Sequence, residues 1–210
     1  MSSKPVSTPR IIVEGLDSRG RGFFLHEGKE FASHDLFPGD EITDFVEKPE
    51  REFDFTLSRP SSARIKADCP HHGPCGGCDL LELAEKARIK AKEALFKRTL
   101  EKIAAPSAME IRPFVASPSS VRYRPRMRLH QSRDRDERGA IGYLPSGHFS
   151  GPFVQGVVPI QSCAIVVKPL AQRVKVLRDL LAKLPFRFDG FYLLASDDQQ
   201  DLVAGHLVLS

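Results

Sequence analysis

Apolar residues in the first sixty positions occur in short runs that turn-forming residues separate. Two such runs, 11–15 and 22–26, flank a turn-type segment at 16–21, so they predict a hairpin. Three more runs follow at 31–33, 41–47 and 52–57. Turns at this regular pitch predict a small antiparallel β-barrel over residues 1–60, with 58–62 as the linker segment.

The segment 80–103 has a different period, because its apolar residues recur near the 3.6-residue spacing of a helix. Asp79 precedes it and Glu82 follows three positions later, a variant capping box that predicts the helix start. Lysine and arginine fill most of the remaining positions, and Pro106 bounds the far end. The pattern therefore predicts a long basic helix directly after Cys78.

Beyond this helix, short apolar runs separated by polar turns predict strands, a second helix and a closing hairpin. The strands are expected at 111–116, 122–130, 139–144 and 156–160, the helix at 166–184, and the hairpin at 190–195 and 202–209. Together these elements indicate an α+β fold. The N-terminal barrel precedes an α/β-mixed central domain, 61–210, with a mainly antiparallel sheet and the long basic helix.

Length and composition place the chain among globular proteins. Its 210 residues with 41% hydrophobic content suffice for one large or two modest cores. No apolar stretch approaches the roughly 20 residues of a membrane span, and the N-terminus lacks a signal-type apolar block. We therefore expect a cytoplasmic protein without a membrane partner. In that reducing compartment, clustered cysteines are more often metal ligands than disulfides.

Charge is distributed unevenly along the chain, although the net charge is only +4. Residues 1–60 carry a net charge of −4, residues 61–140 carry +7, and residues 141–210 carry +1. A polyanion would be drawn to the middle segment, because lysine and arginine neutralise phosphates and supply most sequence-independent nucleic-acid affinity. The alternative interpretation is a solvated basic helix face.

The four cysteines follow a three-plus-one pattern. Cys69, Cys75 and Cys78 have C-x5-C-x2-C spacing, and 84 residues separate Cys78 from Cys163. Four thiolates suit either zinc or an iron–sulfur cluster. Structural zinc sites usually pair their ligands in two short C-x2-4-C units, so this layout favours a [4Fe–4S] cluster. A structural zinc module and four free buried thiols remain alternatives, with His71 and His72 as alternative ligands.

Four arginines at alternate positions form the second candidate site. On a strand they would project from one face as a phosphate-binding comb, with Tyr123 and Met127 packed inward. These arginines are Arg122, Arg124, Arg126 and Arg128. The alternative is an exposed strand that pairs with the acidic residues at 134–137. Arg19 and Arg21, in the first hairpin loop, are weaker candidates for RNA contact.

Known catalytic motifs are missing from the sequence. It contains no G-x-G-x-x-G, P-loop, H-E-x-x-H or nucleophile-elbow pattern, and most of its histidines are scattered. We therefore assign no catalytic residue.

The cysteine and arginine motifs resemble those of a known family, the bacterial RNA (uracil-5-)-methyltransferases that make 5-methyluridine in 23S rRNA or tRNA. The resemblance is to the N-terminal half of the family. It rests on the 69–78 loop and the basic helix after it, and on Tyr123 to Arg126, which resemble the family's Y-R-N-[KR] strand. Three further segments also resemble parts of the family, namely Gly142 with Tyr143, Gln161 to Cys163, and residues 14–40. The last of these resembles the OB-like TRAM domain.

This resemblance implies a TRAM-like RNA-binding barrel at 1–60 and an iron–sulfur central domain at 61–210, with the four cysteines as cluster ligands. The family methylates C5 of uracil with S-adenosylmethionine, after a cysteine thiolate adds to C6. We expect no S-adenosylmethionine site in this chain, and we therefore expect it to be inactive alone. Another domain or polypeptide would supply the site. RNA is the expected partner, with rRNA favoured over tRNA, and a free-standing RNA-binding iron–sulfur protein is the alternative.

Overall fold

The computed structural model describes residues 9–49, 52–103, 110–132, 140–146, 156–195 and 203–209. Its chain divides into two compact units. The first comprises Met1–Lys66 and Asp79–Ala116, and the second comprises Ala67–Cys78 and Ser117–Ser210. The basic helix thus groups with the N-terminal strands, whereas the cysteine loop groups with the C-terminal part. The division into functional domains at residue 60 stays a prediction.

The first unit contains six strands and one helix within its described residues. They are β1 (Ile11–Ile12), β2 (Gly15–Leu16), β3 (Gly22–His26), β4 (Lys29–Ser33), β5 (Glu41–Glu47), β6 (Phe53–Arg59) and α1 (Glu85–Ile103). All the strand pairs are antiparallel, and β2 pairs with β3 as the predicted hairpin. A closed barrel is not confirmed, because these strands lie in two three-stranded sheets, β1-β5-β6 and β2-β3-β4.

Phenylalanines form most of the core of the first unit. Phe24 is fully buried, and its ring stacks on Phe31 with the centroids 5.7 Å apart. The edges of Phe45 and Phe53 pack against Phe24, with centroids at 5.4 and 5.5 Å. Each such aromatic pair adds about 0.5–1.5 kcal/mol beyond its buried area, so this cluster is the main apolar anchor of the unit.

The predicted start of the basic helix is wrong. α1 begins at Glu85, so Asp79 is not its N-cap. Leu83 is buried and forms an antiparallel bridge with Arg64, and this extended pairing excludes helical geometry immediately before Glu85. Glu85 instead places a carboxylate in the first turn, where it interacts favourably with the helix dipole. The long basic helix itself is confirmed, although it is shorter than predicted.

The predicted strand at 111–116 is also wrong, because this segment has no regular structure. Its apolar side chains are exposed, and Val115 keeps 89% of its surface accessible. A strand needs a partner for its backbone and a core for one face, and this run has neither in the described part of the chain.

The second unit is built on one antiparallel sheet with a helix. Its elements are β7 (Arg126–Gln131), β8 (Ile141–Tyr143), β9 (Val158–Pro159), α2 (Lys168–Leu181), β10 (Phe188–Ala195) and β11 (Val203–Leu209). The strand order is β11-β10-β7-β8-β9, and every pair is antiparallel. The predicted antiparallel sheet, second helix and closing hairpin are therefore confirmed.

Helix α2 buries one apolar stripe, formed by Leu170, Val174 and Leu181. Pro169 lies in its first turn, where a missing backbone N–H costs nothing. Arg178 donates from Nη1 to the carbonyl oxygen of Ile160 at 3.1 Å, so the helix also holds the chain just after β9. Neither described helix is both long and apolar enough to cross a membrane.

Candidate functional site

The loop that carries three cysteines is held by its own backbone and by the chain after β8. Cys75 donates its backbone N–H to His71 O at 3.0 Å, and Gly76 donates to Leu144 O at the same distance. A Cβ on Gly76 would lie 2.8 Å from the carbonyl oxygen of Pro145. Glycine is therefore required here, because the loop backbone approaches its neighbour too closely for a side chain.

Cys163 lies after β9 and is buried. Arg122 donates from Nη1 to the carbonyl oxygen of Cys163 at 2.8 Å, and its backbone N–H donates to Ala164 O at 3.1 Å. The Tyr143 hydroxyl donates to Cys163 Sγ at 3.9 Å. Three interactions from two other parts of the unit thus fix this distant cysteine.

The four thiols lie close enough to influence one another's ionisation. Burial raises the pKa of Cys78 to about 11, and the charges of Cys163, Cys75 and Cys69 add to the rise, while Arg124 opposes it. Burial likewise raises the pKa of Cys75, with Cys163 and Cys69 again contributing. The fold therefore gathers the loop cysteines and the distant Cys163 in one neighbourhood. Among the described residues, however, no three His, Cys, Asp or Glu side chains are arranged to hold a metal ion.

His71 joins the two cysteine-bearing segments in a different way from the ligand role considered above. Its Nε2 accepts a hydrogen bond from the backbone N–H of Gln161 at 3.4 Å, two residues before Cys163. Burial lowers the pKa of His71, which keeps the ring neutral and able to accept this bond.

The raised pKa of Cys78 leads to a direct prediction for the metal-free chain. Iodoacetamide should alkylate Cys78 about 100-fold more slowly in the folded chain than in urea at pH 8, because a pKa of about 11 instead of 9.0 reduces the thiolate fraction by that factor. Peptide mass spectrometry of timed samples measures the rate at each cysteine. Equal rates for Cys78 in the folded and unfolded chain would contradict the prediction.

The four predicted arginines do not all lie on one strand. Only Arg126 and Arg128 belong to β7, whereas Arg124 forms an isolated parallel bridge with Val166. Arg122 has a positive φ of 56°, and its guanidinium binds carbonyls near Cys163. Met127 is buried as predicted, but Tyr123 keeps 47% of its surface exposed. The alternating spacing predicted too long a strand, because the regular pairing of β7 begins only at Arg126.

Three of these arginines line a groove of about 630 Å³ in the second unit. Aromatic rings interleave with the guanidinium groups, and glycines of the cysteine loop form part of the wall. The lining residues are Gly76, Gly77, Tyr123, Arg124, Pro125, Arg126, Met127, Arg128, His130, Tyr143, Leu144 and Tyr192. No carboxylate is among these described residues, so the groove favours an anionic ligand. The acidic residues at 134–137, proposed above as alternative partners, lie outside the described residues.

Tyr192 lines the groove and Gly190 supports it, and neither was predicted from the sequence, whereas Tyr143 entered only through the family resemblance. Tyr192 faces Arg128 across the β10–β7 pair. That register depends on strand pairing between distant segments, so no local motif could reveal it. The only available signal was the alternation of β10, which places Tyr192 and Leu194 on one face.

In the first unit, Arg19 and Arg21 lie by the β2–β3 turn. Burial opposes ionisation of Asp17. Hydrogen bonds from the backbone and guanidinium of Arg21, and from the backbone of Arg19, outweigh this effect, so the pKa of Asp17 is lowered. The Arg21 guanidinium is thus held by Asp17 at 2.7 Å, whereas the Arg19 side chain is exposed. Arg19 is the freer of the two for an external phosphate.

Three relatives of the chain, from three bacterial species, carry the same enzyme name. The 23S rRNA (uracil(1939)-C(5))-methyltransferase RlmD of Shewanella baltica strain OS195 is 30% identical over 193 residues, which cover 87% of this chain and 41% of that enzyme. The enzyme of that name from Acidithiobacillus ferrooxidans is 26% identical over 204 residues, with coverages of 94% and 45%. The Nitrosospira multiformis enzyme is 25% identical over 185 residues, with coverages of 86% and 40%.

The chain thus spans less than half the length of these relatives. No protein-family model matches it. The similarity nevertheless extends over most of the chain, from 86% to 94% of it in these three relatives. On this basis the chain is, over most of its length, a homologue of 23S rRNA (uracil-C5)-methyltransferases.

Proposed function

We propose that this chain is the RNA-binding, [4Fe–4S]-binding N-terminal part of a 23S rRNA (uracil-C5)-methyltransferase that acts in the cytoplasm. The observation that carries the proposal is the arginine- and tyrosine-lined groove, which has no carboxylate among the lining residues that the structure describes. Positive charge interleaved with aromatic rings suits a single-stranded nucleic acid, whose phosphates and bases it can bind together.

The cysteines support the cluster part of this proposal. Four thiolates from Cys69, Cys75, Cys78 and Cys163 are the donor set that iron–sulfur clusters use. The three-plus-one spacing of these thiolates favours a cluster over a structural zinc site, whose ligands usually form two short C-x2-4-C pairs.

When bound, a cluster would cross-link the 69–78 loop to Cys163. The chain's own residues already prepare this link, because Arg122 and Tyr143 hold Cys163 and the Gly76 amide holds the loop. Cross-linking would also fix Gly76 and Gly77, which form part of the groove wall. The proposed role of the cluster is therefore structural, as a brace for the RNA-binding surface.

Methyl transfer belongs, in this proposal, to the whole enzyme. A target uracil must leave its stack before C5 is accessible, so single-stranded or looped rRNA is the proposed substrate class. S-adenosylmethionine is the proposed methyl donor, and we assign none of the residues of this chain to it or to catalysis. The TRAM-like assignment of residues 1–60 and the iron–sulfur assignment of 61–210 are part of the same proposal.

Charge reversal tests the RNA-binding proposal. In the Arg124→Glu, Arg126→Glu double variant, binding of fluorescein-labelled oligouridylate should weaken, and the slope of log K against log salt should fall by about 1.4, since each lost single-strand phosphate contact removes about 0.7. Fluorescence anisotropy at several salt concentrations measures both quantities.

The matched control reverses two exposed charges on α2 of the same unit, Lys168→Glu and Lys175→Glu. This variant has the same net charge as the test variant, so a groove-specific effect must exceed the change it produces. An unchanged salt slope in the Arg124→Glu, Arg126→Glu variant, or an equal change in the control, would rule out the groove as the phosphate site.

A further inference from the structure

We propose that Arg128, supported by Tyr192, is a stacking platform for one unpaired RNA base. This inference rests on the proposed function and adds a base-binding subsite to a groove otherwise assigned only to phosphates. Guanidinium planes stack on any nucleobase, so the platform would recognise an unstacked nucleotide without selecting its identity.

The first support is the geometry of the pair. Tyr192 and Arg128 are direct partners across the β10–β7 ladder, and the Arg128 Cζ lies 4.9 Å from the centre of the Tyr192 ring. A cation over a tyrosine face within about 6 Å is attracted by the ring electrons. Met127 and Leu129 alternate with Arg128 and are buried, so Arg128 projects from the opposite face of the sheet, towards the groove.

The second support is the space that Gly190 leaves for the guanidinium. A Cβ on Gly190 would lie 2.5 Å from Arg128 Nε and 3.2 Å from its Cζ. Arg128 Nε is buried there, and no hydrogen-bond acceptor faces it in the described part of the chain. Among the described residues, the guanidinium thus packs over the Tyr192 ring and beside Gly190, and no ion pair to Arg128 is observed there.

The third support is what surrounds the platform. Arg126 lies two residues away on the same strand face, and Tyr123 and Arg124 also line the groove. A volume of about 630 Å³ falls within the range of small-ligand sites and suits one or two nucleotides rather than a duplex. A phosphate at Arg126 would then place the attached base near Arg128.

Gly190→Ala separates stacking from charge. The three atoms nearest to the added Cβ all belong to the Arg128 guanidinium, so this group must move while the net charge stays unchanged. Its affinity for labelled oligouridylate should fall about fivefold or more, the loss expected for one base stack. Affinity for an abasic oligomer of equal length should stay within about twofold, because phosphate contacts do not need the platform.

Three further variants complete the test with the full chain in anaerobic anisotropy titrations. Tyr192→Ala should reproduce the Gly190→Ala loss, whereas Tyr192→Phe should keep the ring and bind like the wild type. Lys175→Ala, an exposed charge removal on α2, should have no base-dependent effect. Circular dichroism melting confirms that each variant is folded.

The outcomes distinguish this inference from the proposed function. If Gly190→Ala and Tyr192→Ala bind both oligomers like the wild type while the arginine reversals weaken binding, the platform is wrong and the RNA groove stands. If the arginine reversals also have no effect, both proposals fail. Equal loss for the uridine and abasic oligomers in Gly190→Ala would likewise overturn stacking, since it would indicate a phosphate contact. Tight binding of poly-glutamate would point to a general polyanion site and overturn base recognition.

Discussion

Cys163→Ser is expected to abolish stable cluster assembly. Wild-type chain reconstituted anaerobically should contain about four irons and four sulfides per chain, with visible absorbance. Serine keeps the size of the side chain but removes the thiolate. Removing a residue that only hydrogen-bonds to a metal ligand weakens metal binding by about 10- to 100-fold. Removing a ligand itself should therefore shorten the lifetime of the cluster in the presence of a chelator by at least that factor. Iron and sulfide assays with timed absorbance measure this effect.

The neighbouring Ser162→Ala variant is the matched control, because Ser162 is exposed and adjacent to Cys163. It should retain the cluster like the wild type. Wild-type levels of iron and sulfide in Cys163→Ser would show that this cysteine is not a ligand. One zinc ion without sulfide in the wild type would favour the zinc module instead.

Local patterns predicted those elements whose partners lie nearby in the chain. The β2–β3 hairpin and the β10–β11 hairpin both follow from short alternating runs around turns, and both are observed. The apolar period at 80–103 likewise predicted a basic helix. The start of that helix was missed, because Leu83 pairs with Arg64, and such a tertiary bridge overrides the capping signal at Asp79.

The candidate site was only partly predictable for the same reason. Cysteine spacing singled out four thiols whose charges influence one another in the fold, because chemically rare residues carry their own signal, and their role as metal ligands stays a prediction. The arginine spacing predicted four cations on one strand face, yet Arg122 turns away through a positive φ to hold the Cys163 carbonyl. Tyr192 and Gly190 carry no local signal, because their importance depends on the β10–β7 register.

The second large effect concerns a buried ion pair in the first unit. Asp40 is fully buried, and its two carboxylate oxygens accept four hydrogen bonds. Phe37 N and Ser61 N donate at 2.7 and 2.8 Å, and Arg64 donates from Nε and Nη2 at 3.0 and 2.7 Å. Arg64 also lies over the Phe37 ring at 4.4 Å. This pair therefore joins the β4–β5 loop to the segment after β6.

Asp40→Ala is expected to destabilise the first unit by about 3 kcal/mol, because two backbone N–H groups lose their buried acceptor, while Arg64 keeps its contacts with Glu82 and the Asp35 carbonyl. Arg64→Lys should cost less than Asp40→Ala, since it keeps the charge but loses the two-pronged contact. Urea unfolding followed by far-ultraviolet circular dichroism measures the loss. All three tyrosines lie in the second unit, so tyrosine fluorescence provides a separate record of that unit.

The exposed pair between Lys29 and Glu47 in the same unit provides the control. Its Nζ–Oε1 distance is 3.1 Å, similar to the buried pair, but the two side chains are 63% and 43% exposed. Water screens such a pair, so Lys29→Ala should cost less than about 1 kcal/mol. If Asp40→Ala shifted the circular-dichroism transition no more than Lys29→Ala, burial would not be what makes the Asp40–Arg64 pair strong. The joining role assigned to it would then be wrong.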